Sequence, residues 1–360
     1  MLKALVIDDM VRLGGGKKVA LNFADALKEI GLDPYFLTNV DRVEDRTYPV
    51  VHKVNYDFRE NSQGIVDLLK ILNLKRQLAK INTENFGIRL NNHPNVFITK
   101  GDINFLHGFS FLDPWIDENG DIVKSLPPLL IRTLGLYRDY DYSPFVPNSK
   151  YTKALSERLF RRLGINATVD EVLHPPIFRQ KKEISEKKRQ VVVLGRISAT
   201  KSLEAAVKVS NESGIKMIIG GYLNRGDERF LERLRKSAQK NVTIRVNITE
   251  EEKKSLLMES STILSLNRKE NFGISVVEGM DFGCIPIVAR SGGPWTDIVE
   301  EGKYGMGFSI YEEIPKLVER SFNFDQERRE RISDSVERFS FDKFRERLRK
   351  IVGDIISSRK

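Results

Sequence analysis

The 360-residue sequence holds one cysteine, Cys284, and only four histidines. One cysteine excludes an intrachain disulfide and fits a reducing compartment, although sparing use of cysteine is also a thermophile habit. Its place between the end of an expected helix and an apolar strand reads as a small core residue, not a reactive thiol. No apolar run approaches the roughly 18–20 residues that cross a bilayer. The opening Met1-Leu-Lys-Ala-Leu-Val-Ile-Asp-Asp9 is too short, and ends too acidic, for a secretory signal; it reads as a strand. The sequons at Asn166, Asn211, Asn241 and Asn247 are then chance matches. Fixed-period repeats and low-complexity tracts are absent, as are zinc-finger spacings and RNP-like aromatic signatures. These last absences argue against a nucleic-acid partner, despite a net charge of +9. The basic residues are interleaved with acids, as in 327–338 and 345–360, which is how solvated helix faces look. An anionic substrate, with or without an anionic membrane surface, accounts for the charge better.

What the chain does contain is an alternation of strand and helix, which predicts an α/β fold with parallel sheets covered on both faces. Strands are expected at 3–8, 34–38, 95–99, 103–106 and 145–147, with an amphipathic helix over 17–30. Gly14-Gly15-Gly16 forms a turn at the carboxyl end of the first strand, where open α/β sheets bind ligands. The prolines in Val172-Leu-His-Pro-Pro-Ile177 and the polar run after them mark a boundary. The pattern then restarts, with strands at 190–194, 215–219, 241–246 and 262–266. Thr249 and Glu252 form a capping box, and a long amphipathic helix over 341–356 ends the pattern.

The most informative segment is Glu270-Asn-Phe-Gly-Ile-Ser-Val-Val-Glu278-Gly-Met280, followed by Gly283-Cys-Ile-Pro286 and Gly292-Gly-Pro294. Two carboxylates at this spacing arise by chance in a chain with 50 acidic residues, so their frame matters more. Phe272-Gly273 opens an apolar helix with Glu278 roughly two turns inside it. Gly283 stops that helix, 285–289 reads as a buried strand, and the Gly-Gly-Pro turn opens the next helix. Helix N-termini offer unpaired N–H groups and a positive dipole end, which suit a diphosphate.

This block resembles the E-x7-E region of glycosyltransferase family 4, the retaining nucleotide-sugar transferases of GT-B architecture. The resemblance implies two Rossmann-like doubly wound parallel-sheet domains facing a central cleft. The N-terminal domain, on the acceptor side, would be residues 1–176 completed by the helix at 341–360. Residues 177–340 would bind the donor. Leu194-Gly195-Arg196-Ile-Ser-Ala-Thr-Lys201 resembles the family's Gly-Arg…Lys element, whose two cations meet the diphosphate. By the same resemblance Glu270 approaches the donor sugar's hydroxyls, and Glu278 accepts hydrogen bonds from the ribose. Backbone N–H groups of Phe272, Gly273 and Ile274 point at the phosphates. Gly15 and Gly16 let the backbone come close to the donor, and His107, in Phe105-Leu-His-Gly-Phe109, meets the donor sugar. His52 and His93 give no signal.

The only literal Asp-x-Asp noted, Asp139-Tyr-Asp141, follows an expected helix among aromatics and reads as structural, so no metal and no cofactor are expected. The wording of the block looks most like mannosyltransferases that extend lipid-linked oligosaccharides. GDP-mannose is therefore the first donor expected and UDP-glucose the second, with a glycan or lipid-linked glycan as acceptor. A cytoplasmic, peripheral enzyme follows, with the stretch 65–81 and its Lys70, Lys75, Arg76 and Lys80 as the membrane contact. A core-facing amphipathic helix is the competing reading. Gly14-Gly-Gly-Lys-Lys18 departs from the Gly-Gly-x-Glu-Arg of many relatives, which bears on acceptor contacts. A GT-B epimerase or a catalytically silent nucleotide-sugar-binding protein would share the fold.

Overall fold

The computed structural model describes residues 1–9, 14–41, 43, 48–55, 65–94, 98–108, 140–141, 143–180 and 183–359. They fall into two units, Met1–Pro175 with Asp342–Lys360, and Pro176–Phe341. In the first unit the chain runs β1 (Leu2–Ile7), α1 (Gly15–Glu29), β2 (Leu32–Thr38), β3 (Val50–Lys53), α2 (Ile65–Leu78) and β4 (Ile88–Asn91). It continues through β5 (Ile103–Leu106), β6 (Pro144–Pro147), α3 (Lys150–Leu163) and β7 (Thr168–Val169). The seven strands are all parallel, in the order β3-β2-β1-β4-β5-β6-β7. Ala4, Leu5, Val6 and Ile7 are buried at successive positions, as a strand covered on both faces requires. The helix α10 (Phe341–Ser357) packs on this unit: Phe344 meets Phe23 edge-on at 4.9 Å, Leu348 and Val352 are buried, and Arg345 pairs with Glu29. Arg359, just beyond it, joins Arg89 on the Asp102 carboxylate.

The expected strand at 95–99 is corrected. Residues 95–97 lie outside the described residues, Ile98 and Thr99 are not in a strand, and the strand beside β1 is Ile88–Asn91. It is short and ends in polar residues, so nothing local separates it from a loop; its pairing with β1 makes it a strand.

The second unit runs β8 (Lys188–Arg196), α4 (Leu203–Ser213), β9 (Met217–Tyr222), α5 (Glu228–Ser237), β10 (Val242–Val246), α6 (Glu250–Glu259) and β11 (Ser260–Ser265). Then come α7 (Ile274–Asp281), β12 (Ile285–Ala289), β13 (Met306–Phe308), α8 (Ile314–Phe322) and α9 (Gln326–Ser335). All six strands are parallel, in the order β10-β9-β8-β11-β12-β13. Thr249 caps α6 with the reciprocal Glu252 bond of a capping box. Cys284 is fully buried with its thiol on the carbonyls of Leu257 and Ser260, and burial pushes its pKa up, so it is an inert core residue.

Both sheets reverse their strand order beside their first strand, between β1 and β4 and between β8 and β11. At such a switch point the loops after neighbouring strands diverge, leaving a crevice at the carboxyl ends where open α/β sheets bind ligands.

Candidate active site

In the second unit the expected residues lie at that switch point. Arg196 ends β8, Lys201 closes the short 3₁₀ turn after it, and Glu270 follows β11. Lys201 Nζ lies 2.5 Å from Glu270 Oε2, and Asn267 Nδ2 donates to the same oxygen at 3.4 Å. Burial alone would raise the Glu270 carboxyl. Lys201, Asn267 and the charge of Arg196 outweigh it and hold the group below the usual carboxylate range. Arg196 also acts on Asp227, whose carboxyl burial pushes up. The structure thus gathers Glu270, Lys201 and Arg196 into one charged cluster.

Glycine geometry fixes the Glu270 loop. Gly293 donates its N–H to the Glu270 carbonyl at 2.8 Å, and a Cβ on Gly293 would lie 2.1 Å from the Asn271 carbonyl oxygen. Only glycine permits that approach. Gly273 caps α7 at φ 98°, a left-handed conformation that turns the loop into the helix. Among the described residues the N–H groups of Gly273 and Ile274 meet no protein acceptor, so the α7 N-terminus presents donors. Phe272 contributes its backbone there, because its side chain is buried against Phe339.

Glu278 sits in a separate ion-pair group. It is the fifth residue of α7, little more than one turn inside the helix and not two. Lys253 of α6 bridges it at 2.7 Å to Glu250 at 2.8 Å, and Tyr222 donates to Glu250 at 3.1 Å. Burial works against the Lys253 charge, yet the two carboxylates hold its pKa above the ordinary lysine value. Sequence reasoning missed Lys253, Tyr222 and Asn267, since no spacing links them to the motif.

The first unit places Gly15 and Gly16 at the start of α1 and His107 just past β5. Gly16 and His107 meet through a residue that the sequence reading did not single out. Asn92, buried after β4, donates Nδ2 to Asp8 Oδ1 at 2.8 Å and to the Gly16 carbonyl at 3.3 Å, while its Oδ1 faces His107 Nε2 at 3.0 Å. His93, which gave no signal in sequence, lies 3.2 Å from Asp8 Oδ1 with its ring 5.2 Å from that of His107. Asp8 is fully buried, and burial raises its pKa well above the usual value. Burial, then the neighbouring His93, pushes the His107 pKa well down. No local signal marked Asn92 or His93, because β4 itself could not be told from a loop. Asp139 lies outside the described residues. Among the described residues no three His, Cys, Asp or Glu side chains gather as a metal site would require.

Two doubly wound parallel sheets, each with charged or polar groups at its switch point, are the arrangement of the GT-B fold. Residues 176–338 match the model for glycosyl transferases group 1, and the second unit is a domain of that family. Over 149 residues the chain is 28% identical to the GDP-Man:Man(3)GlcNAc(2)-PP-Dol alpha-1,2-mannosyltransferase of Dictyostelium discoideum, covering 39% of this chain and 30% of that one. The Mus musculus protein of the same name is 35% identical over 109 residues, covering 27% of this chain and 22% of that one. The matched stretch therefore spans less than a third of these curated relatives. Anabaena HepE, solved with UDP and glucose, superposes with TM-score 0.71 over 98% of this chain and all of that one, at 14% identity. Sucrose-phosphate synthase of Thermosynechococcus elongatus gives 0.72 over 99% of this chain and 100% of that one, at 12% identity. At these identities the likeness establishes the fold.

Proposed function

We propose that the protein is a retaining hexosyltransferase that moves a hexose from a nucleotide-diphosphate sugar, GDP-mannose as the first choice and UDP-glucose as the second, to a hydroxyl of a glycan or lipid-linked glycan. The observation that carries this reading is the cluster of Lys201, Glu270 and Arg196 beside the N–H groups that open α7. Breaking a glycosyl–diphosphate bond builds negative charge on the leaving oxygen, and fixed cations with helix N–H donors stabilise it where water is excluded. Arg196 and Lys201 take the diphosphate, with the N–H groups of Phe272, Gly273 and Ile274. Glu270 accepts hydrogen bonds from sugar hydroxyls, and its paired, ionised state keeps it an acceptor. Glu278 reads the ribose, held by Lys253.

In the reaction the bond from the anomeric carbon to the diphosphate oxygen breaks while the acceptor oxygen bonds to the same face. The acceptor proton passes to the leaving phosphate oxygen, so no side chain becomes a covalent nucleophile. By the family resemblance, His107, Gly15 and Gly16 are the first unit's candidates for contact with the donor sugar. Turnover is then expected to survive chelation by EDTA.

The mannosyl choice draws on the names of the partial-length relatives. No helix among the described residues is long and apolar enough to cross a membrane. We place the enzyme peripherally on a cytoplasmic face, where nucleotide sugars and an anionic surface meet. The test is a thermal-shift panel of nucleotide sugars followed by a transfer assay. A ligand at about 100 times its Kd adds about 2.7 kcal/mol of stability, and GDP-mannose should give the largest shift. No shift with any nucleotide sugar or nucleoside diphosphate would end the proposal.

A further inference from the structure

We infer that Asn92 is a positioning residue that holds His107 as the Nε2–H tautomer, so that the ring meets a ligand hydroxyl as an acceptor through Nδ1. The inference deepens the functional reading above and rests on it for the ligand's chemistry, a sugar hydroxyl. The tautomer itself stands on the hydrogen-bond geometry around Asn92 and on the burial of the His107 ring.

An amide side chain has one donating and one accepting end, and its neighbours decide which points where. The Gly16 carbonyl can only accept, so the Asn92 atom 3.3 Å from it has to be the NH2 group. The same nitrogen reaches Asp8 Oδ1 at 2.8 Å, a second acceptor. Turning the amide over would set its oxygen against the Gly16 carbonyl oxygen and Asp8 Oδ1 together. Asn92 Oδ1 is thereby left facing His107 Nε2 at 3.0 Å, and an oxygen acceptor at that distance requires a proton on Nε2. Burial and the neighbouring His93 keep the ring neutral. A neutral ring protonated at Nε2 carries a lone pair on Nδ1, and that nitrogen has no partner among the described residues. A hydroxyl that meets it must donate.

His107 itself is held in place. Its backbone carbonyl accepts from Asn148 Nδ2 at 3.2 Å, and Phe105 packs edge-on against the ring at 4.9 Å. The network ties the ends of β1, β4 and β5 and the start of α1 to a single proton position. Asp8 and the Gly16 carbonyl set Asn92, and Asn92 sets His107.

The sequence has four histidines, so a protein labelled with 15N in histidine gives a sparse imidazole spectrum that single His→Gln variants assign. Long-range 1H–15N correlation on the full chain is expected to show His107 protonated at Nε2 alone. Asn92→Leu removes the acceptor and should give a tautomer mixture. Adding GDP-mannose should shift the Nδ1 resonance and leave the Nε2 proton in place. An Nδ1–H tautomer in the wild type, or an unchanged tautomer in Asn92→Leu, overturns the inference. Should Asn92→Leu fail to fold, the wild-type tautomer still decides it. A stability gain with GDP-mannose but no Nδ1 shift also overturns it, whereas no gain at all counts against the proposed function and leaves the tautomer result standing.

Discussion

The two switch points share a topology and differ in chemistry. In the second unit the groups are ions: Lys201 after β8 with Glu270 after β11 at 2.5 Å, and Lys253 of α6 with Glu278 of α7 and with Glu250 at 2.7 and 2.8 Å. In the first unit the groups after β1, β4 and β5 are joined by amide and imidazole hydrogen bonds around one buried carboxyl, Asp8. Burial drives both Asp8 and His107 toward their neutral forms, while Glu270 stays ionised because its cations outweigh burial. Under the proposed function, strand order marks where each unit would meet a ligand, and the side chains mark the chemistry that each would take. Fixed charges suit a diphosphate, and neutral donors and acceptors suit sugar hydroxyls.

The largest expected effect breaks the charged end. Lys201→Ala leaves Glu270 without its close partner and, under the proposed function, removes a cation from the developing diphosphate charge. Turnover should fall about 10²–10³-fold, the range for losing one preorganised electrostatic group. Arg196→Ala should weaken donor binding and turnover together by roughly 1.5–3 kcal/mol. Unchanged affinity for GDP and UDP by calorimetry in both variants would remove these residues from the site.

Next comes the backbone that holds the ions in place. In Gly293→Ala the new Cβ would lie 2.1 Å from the Asn271 carbonyl oxygen, so the Glu270 loop has to move. A loss of about 2–4 kcal/mol in denaturant unfolding is expected, within the range for a severe steric change, with activity lost alongside. Gly353→Ala, in α10 with nothing within 4 Å of the added methyl, is the control that should cost nothing. Equal stability of the two variants would show that the loop has slack, and that its close approach does not fix Glu270.

The contrast also explains what could be read from sequence. The second unit's cluster was legible because its residues lie in two local motifs, Gly195-Arg196 with Lys201 and the Glu270–Glu278 block, each on a strand end and the turn after it. The alternation of apolar runs gave most strands of both sheets for the same local reason. The first unit's network was not legible beyond His107 and the glycines. Asn92 and Asp8 are 84 positions apart, Asn92 and Gly16 are 76, and only the pairing of β4 with β1 brings them together. Lys253 likewise reaches Glu278 across 25 positions, from a helix whose visible signal was its cap.

A smaller effect sharpens the neutral end. The folded Asp8 pKa lies well above its ordinary 3.8, so the stability this group contributes is present below that value and lost as pH rises through the folded pKa. Asp8→Asn keeps an acceptor for Asn92 and removes the titration. Its Tm should match wild type near about pH 4 and exceed it near about pH 8, where the wild type holds an ionised or strained buried carboxyl. Parallel Tm curves for the two proteins would mean that Asp8 ionises without cost, and that the two switch points differ less than their contacts suggest.

The smallest effect concerns the outer surface of the first unit. The stretch 65–81 forms the helix α2 over most of its length, and Leu74 and Leu78 are buried in the core with Leu5, Ile7 and Leu37. Those side chains cannot enter a membrane while they fill that core, so any contact by this helix has to come through its charges. Arg76 is exposed and Lys80 follows the helix end. A basic residue near an anionic surface contributes about 1 kcal/mol, and salt screens it within a Debye length of about 8–10 Å. In liposome flotation, weak and salt-sensitive binding to anionic vesicles is expected, with none to neutral ones. Arg76→Gln with Lys80→Gln should lower the anionic binding roughly thirtyfold, in line with about 1 kcal/mol from each charge. Binding that the double variant leaves unchanged would move the membrane contact off this helix. Failure on both vesicle types, with full activity on a soluble acceptor, would leave the +9 charge as a solvated surface.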